Sequence, residues 1–72
     1  LMGILSNISG KKAAKIFCKI GYFVDHNTGS HMTLYHDSRP TLSVPGKGIA
    51  PGLLRGLIRR AGIEVEEFIK MK

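Results

Sequence analysis

The chain has 72 residues, a hydrophobic fraction of 43% and a formal net charge of +6. That length suits one hydrophobic core and excludes a second domain, the apolar fraction excludes a disordered chain, and no apolar run approaches the ~20 residues that span a bilayer. The charge is uneven, +7 over residues 1–63 and −1 over residues 64–72, so the basic body favours a polyanionic partner, most commonly nucleic acid.

A solvated basic surface is the plainer alternative. The single cysteine, Cys18, excludes an internal disulfide. No Cys/His metal spacing is present, and the composition fits a reducing cytoplasm. Leu1-Met2-Gly3-Ile4-Leu5 lacks the basic region and cleavage pattern of a secretory signal. The expectation is a single cytoplasmic domain over residues 1–72 with no cofactor and no membrane segment. A domain this small buries only about 60% of its unfolded surface. A partner covering an apolar edge would stabilise it, which favours a homodimer or a hetero-oligomer.

The first element is a helix with Ser9 as N-cap. Ala13, Ile16, Phe17 and Ile20 recur at helical spacing on one apolar face. Lys12, Lys15 and Lys19 recur on another face with Lys11 beside them, a ridge along about 12 Å of helix. Cys18, four residues after Ala14, reads as a small buried apolar residue. Gly21 stops the helix in a left-handed cap.

Tyr22–His26 is rich in strand formers. Asn27-Thr28-Gly29-Ser30 is a turn. His31–His36 is a second strand, with Met32 and Leu34 on one side and His31, Thr33 and Tyr35 on the other. After a turn at Asp37-Ser38-Arg39-Pro40, Thr41–Val44 is a third strand. Short turns make the three an antiparallel meander. Met32, Leu34, Leu42 and Val44 belong on the covered face.

Pro45–Gly52 is a loop leading into a second helix, with Pro51 in its first turn. Leu53, Leu54, Leu57, Ile58 and Ala61 form its apolar face. Arg55 and Arg59 share another face, with Arg60 adjacent. Gly56 costs the helix about 1 kcal/mol against alanine; its missing side chain suits a close approach to the sheet or to a ligand. Gly62 ends the helix. Glu64 caps a short last helix, with Val65, Phe68 and Ile69 inward and Glu66 and Glu67 near its positive end. The fold class is α+β in the order α-β-β-β-α with a short C-terminal helix. A three-stranded antiparallel sheet is covered on one face by helices. That is the architecture of double-stranded-RNA-binding domains.

Gly29-Ser30-His31 carries the chemistry. His31 opens a strand after a Gly-Ser turn, where an imidazole can be exposed and held. Imidazole takes up and releases protons near neutral pH. Cleavage of an RNA phosphodiester needs a base for the 2′-hydroxyl proton and an acid for the 5′-oxygen, and a positioned group contributes about 10²–10⁴ in rate. Nearby lysines and arginines would hold the phosphate. The competing reading is an ordinary surface histidine in a turn. Gly29-Ser30-His31-Met32 also matches the remnant of some cleaved tags, but it lies mid-chain between segments the domain needs. His26 and His36 are weaker candidates; His36 reads as a half-buried or edge residue. Tyr35 shares a face with His31 and could stack on a base or donate a hydrogen bond, against a purely structural role.

Taken together, these stretches resemble the HicA (YcfA-like) family of small bacterial and archaeal toxins. The likeness runs through Gly21-Tyr22, Gly29-Ser30-His31, Val44-Pro45, Pro51-Gly52-Leu53-Leu54-Arg55, Ile58-Arg59-Arg60-Ala61-Gly62-Ile63 and Glu66-Glu67-Phe68. It implies a double-stranded-RNA-binding-like fold and a metal-independent, ribosome-independent endoribonuclease that cuts mRNA, with His31 catalytic. Gly29, Ser30 and Tyr35 would support it. Lys11, Lys12, Lys15, Lys19, Lys47, Arg55, Arg59 and Arg60 would bind RNA. It also implies a HicB-type antitoxin as partner. Two positions depart from the pattern. Gly46-Lys47-Gly48 replaces a His or Lys soon after Val-Pro. Gly52-Leu53-Leu54 lacks a threonine cap, which costs about 1 kcal/mol.

Two other classes fit the same residues. A non-catalytic nucleic-acid-binding module would bind in a salt-sensitive way without cutting. A structural domain would present its basic face to an acidic protein.

Overall fold

A computed structural model describes residues 8–28 and 30–72, with Thr28 described by its backbone alone. The elements, in order, are α1 (Gly10–Cys18), β1 (Phe23–Thr28), β2 (His31–Tyr35), β3 (Leu42–Pro45), α2 (Pro51–Ala61) and α3 (Val65–Lys70). The strands form an antiparallel sheet in the order β1-β2-β3. On one face α1 packs against β1 and β3, and α2 packs against β3 and α3. Among the described residues no helix is long and apolar enough to cross a membrane.

Ser9 starts α1 from an extended conformation, and its hydroxyl accepts the N–H of Lys12 at 3.1 Å. Such a cap contributes about 1 kcal/mol. Ala13, Ala14, Ile16 and Phe17 are buried. Cys18 is exposed, contrary to the sequence reading. Ala14 already sits at the rim of the apolar face, and a step of four residues rotates a further ~40° out of it. Gly21, at φ +104°, reverses the chain toward β1.

Tyr22 precedes the strand it was expected to begin. Its buried ring packs at 5.8 Å from Phe17 and 4.9 Å from His36, and its hydroxyl donates to the Pro40 carbonyl at 2.7 Å. Burial raises the phenol pKa above its ordinary value, partly offset by the positive charges of Arg39 and Arg60. Strand β1 runs on through Asn27 and Thr28, which the turn reading had claimed. The period-two pattern holds in β2 and β3: Met32, Leu34, Leu42 and Val44 are buried against the helices. Burying each such side chain stabilises the fold by roughly 1.5–3 kcal/mol.

In α2, Leu54, Leu57, Ile58 and Ala61 are buried, whereas Leu53 is 49% exposed and does not join the core. Ala50 precedes the helix and offers no side-chain cap. Gly62, at φ +85°, closes it. Arg39 Nη1 donates to the Ala61 carbonyl at 2.6 Å, and Arg60 Nε donates to Thr41 at 3.0 Å, tying the helix end to the β2–β3 turn. Glu64 and Glu67 form a capping box on α3. That helix buries Phe68, whose ring lies 5.2 Å from Phe17.

Two glycines make opposite demands. A Cβ on Gly10 would fall 1.5 Å from the Pro45 carbonyl oxygen, so backbone would have to move, whereas a Cβ on Gly56 would meet nothing within 4 Å. Among the described residues Gly56 therefore serves no helix–sheet contact. Gly10→Ala should lower the urea-unfolding free energy by about 3 kcal/mol or more. Gly56→Ala should raise it by about 1 kcal/mol. Similar midpoints for the two variants would contradict this packing.

Candidate active site

One end of the sheet gathers three segments. Thr28 pairs with His31, and His31 pairs on its other side with Pro45. The Gly46 N–H donates to the Ser30 carbonyl, the Gly10 N–H donates to the Lys47 carbonyl at 3.0 Å, and Ser9 bridges to Gly48. The start of α1, the end of β3 and the β1–β2 turn are thus tied by backbone hydrogen bonds. Lys11, Asn27, Ser30, Met32, Gly46 and Lys47 line a cleft of about 310 Å³ there.

His31 is exposed at this end. Its Nδ1 lies 3.2 Å from the Ser30 hydroxyl. When Nδ1–H donates to that oxygen, Nε2 carries a lone pair and can accept a proton; the reverse bond leaves Nε2 protonated. A weak tether of this kind orients the ring without burying it.

The other two histidines are held differently. His36 uses both nitrogens within the fold: Nε2–H donates to the Ile20 carbonyl at 2.9 Å, and Nδ1 accepts the Ser38 N–H at 3.0 Å. It is half-buried, as its place at the end of a strand suggested. His26 lies at an irregularity in β1. The register shifts between Val24 and His26, so that Asp25 is an extra residue and His26 pairs with Thr33. Its Nδ1 lies 2.9 Å from Asp25 Oδ2, with both side chains well exposed.

The expected cations do not form one surface. Lys11 and Lys47 share the cleft beside Ser30. Lys12, Lys15 and Lys19 line, with Lys11, a separate groove of about 430 Å³ floored by Ile16 and Met71. There Lys19 Nζ donates to the Met71 carbonyl at 2.7 Å. Arg55 and Arg59 border a hollow of about 510 Å³ near the α2–α3 connection, and Arg60 is engaged with Thr41. Gly29 lies outside the described residues. Tyr35, 46% exposed, stands on the same sheet face as His31, its ring 5.6 Å from that of Phe23, which is 48% exposed. Sequence reasoning passed over Phe23. It opens β1 opposite Tyr35, a pairing visible only once the strand register is known.

Fold and site together define a small basic α+β domain with the architecture of double-stranded-RNA-binding domains and an exposed histidine at one end of its sheet. Residues 10–63 match the family model described as the HicA toxin of bacterial toxin–antitoxin systems, and the chain belongs to that family. A solved structure described as a toxin–antitoxin complex from Streptococcus pneumoniae contains a chain of the same fold. The TM-score is 0.70 at 18% identity, over 78% of this chain and 98% of that one. No curated protein matches the chain.

The contrast between the histidines is measurable. His36→Ala should cost about 1–3 kcal/mol, because it leaves the Ile20 carbonyl and Ser38 N–H without their partner. His31→Ala should stay within about 0.5 kcal/mol of the wild type. Chemical denaturation of both variants checks this, and a destabilised His31→Ala would assign that ring a structural role.

Proposed function

We propose that this chain is an endoribonuclease toxin that cuts mRNA in the cytoplasm, with His31 accepting the proton of the attacking 2′-hydroxyl. The observation that carries this reading is the placement of His31, exposed and tethered only to Ser30 among the described residues, with Ser30 itself lining the cleft shared by Lys11 and Lys47. Membership of the HicA toxin family supports it.

Nδ1–H held by the Ser30 hydroxyl leaves the Nε2 lone pair for the substrate. As the proton transfers, the 2′-oxygen attacks phosphorus, a 2′,3′-cyclic phosphate forms, and the 5′-oxygen leaves with a proton. The ammonium groups of Lys11 and Lys47 stabilise negative charge on the non-bridging oxygens. The substrate's own 2′-hydroxyl is the nucleophile, so the step requires no metal ion. Tyr35, on the face of His31, stacks on an adjacent base. The remaining lysines and Arg55, Arg59 and Arg60 add longer-range attraction for the polyanion.

A HicB-type antitoxin neutralises the toxin by covering His31 or its surroundings. The structure from Streptococcus pneumoniae, described as a toxin–antitoxin complex, supports a partner of this class.

Induced in cells, the wild-type chain should arrest growth and fragment transcripts, whereas His31→Ala at the same protein level should do neither. Equal toxicity of the two would remove His31 from the mechanism. Intact transcripts, with purified protein still binding RNA in a salt-sensitive way, would favour the non-catalytic binding module. Lys47→Ala should weaken binding to all sequences alike and reduce the salt slope by about one.

A further inference from the structure

We propose that His26, oriented by Asp25, is the second proton-transfer group of this site: the general acid that protonates the departing 5′-oxygen while His31 takes the 2′-hydroxyl proton. The inference rests on the ribonuclease reading above and assigns a residue that reading leaves unassigned.

The argument begins with the bulge. In a regular strand, consecutive side chains point to opposite faces, so neighbours do not hydrogen-bond through their side chains. Yet His26 Nδ1 and Asp25 Oδ2 are 2.9 Å apart. The register shift between Val24 and His26 explains this. A bulge sets two residues against one partner, and bulges re-aim side chains beside active sites. Without the extra residue, Asp25 would oppose Thr33, and His26 would oppose Met32 on the helix-covered face. With it, His26 opposes Thr33, on the face that carries His31.

His26 is therefore the diagonal neighbour of His31, two residues along β2 from its direct partner. Such positions lie about 7–8 Å apart, within reach of long and aromatic side chains. The two rings can flank one phosphodiester. Nδ1–H of His26 donates to the Asp25 carboxylate, which leaves Nε2–H for the substrate. This is the orienting role of a carboxylate behind a catalytic imidazole. The side chains of His26 and Asp25 are 68% and 50% exposed. An exposed pair of this kind contributes little to stability, so stability does not account for an interrupted ladder at this point.

The step balances. The 2′-O–H bond breaks and its proton goes to His31 Nε2. The bond from the 2′-oxygen to phosphorus forms as that from phosphorus to the 5′-oxygen breaks, and His26 Nε2–H supplies the proton to the 5′-oxygen. His26 ends neutral and His31 protonated, and exchange with water restores both.

The test uses two RNA substrates with one defined cleavage site, one with the ordinary 5′-oxygen and one with a 5′-bridging sulfur, whose thiolate leaves without protonation. His26→Ala should lower kcat on the oxygen substrate by about 10²–10⁴-fold and cut the sulfur substrate within about threefold of the wild type. Asp25→Asn, a change at a positioning residue, should show a smaller loss on oxygen and the same rescue on sulfur. His31→Ala should fail on both. Unchanged cleavage of the oxygen substrate by His26→Ala overturns the assignment, as does an equal loss on both substrates. If the wild type cuts neither, the ribonuclease reading itself fails and takes this role with it. Because His26 is exposed, unaltered circular dichroism of His26→Ala is expected, and the rescue on sulfur independently reports a folded protein.

Discussion

The first turn of α1 lies directly on the end of β3, with no side chain between them. Gly10 stands so close to the Pro45 carbonyl that any Cβ would occupy the oxygen's place, and its N–H is bonded to Lys47. This contact sets the height of α1 above the sheet, which lets Ala13, Ile16 and Phe17 meet Leu34, Leu42 and Val44 in one core. It also fixes the end of β3, to which β2 is paired through His31 and Pro45. The position of the exposed imidazole therefore follows from a backbone contact.

The chain's polar groups divide between structure and surface. Arg39, Arg60 and Lys19 each donate to a backbone carbonyl at a helix end or turn, and His36 spends one ring nitrogen on the Ile20 carbonyl and the other on the Ser38 N–H. A small domain has few core contacts to spare, and such bonds satisfy carbonyls that would otherwise lack partners. The open sheet face carries the groups left over from this work: His26, His31, Phe23 and Tyr35. The basic residues are spread over several surfaces, with Lys11 and Lys47 sharing the cleft that Ser30 also lines, so a bound polyanion would be drawn to the domain from several sides.

Most of the fold was legible because it depends on local chemistry. Ser9 announces a cap, Gly21 and Gly62 announce reversals, and the alternation of β2 separates Met32 and Leu34 from His31, Thr33 and Tyr35. The exposure of Cys18 and Leu53 was misread because both lie at the rim of an apolar stripe, where a rotation of tens of degrees decides burial. The strand boundaries shifted because Tyr22 is held by Phe17, His36 and Pro40, and Asn27 by its pairing with Met32. Register was beyond reach altogether. A bulge at Asp25 has no sequence signature, and only the register brings His26 to the side of His31 or sets Phe23 against Tyr35. Of the candidate site, the exposure of His31 next to Ser30 could be read directly; the grouping of Lys11 with Lys47 required the Gly10–Lys47 contact.

In the proposed mechanism this sheet end would supply a base, His31, for transesterification by the substrate's own hydroxyl. The most direct measurement is the incubation of purified wild type and His31→Ala with single-stranded RNA in EDTA. Fragments from the wild type alone, bearing 2′,3′-cyclic phosphate and 5′-hydroxyl ends, are the predicted result. Cutting by both proteins, or wild-type cutting that disappears in EDTA and returns with added magnesium, would contradict the account.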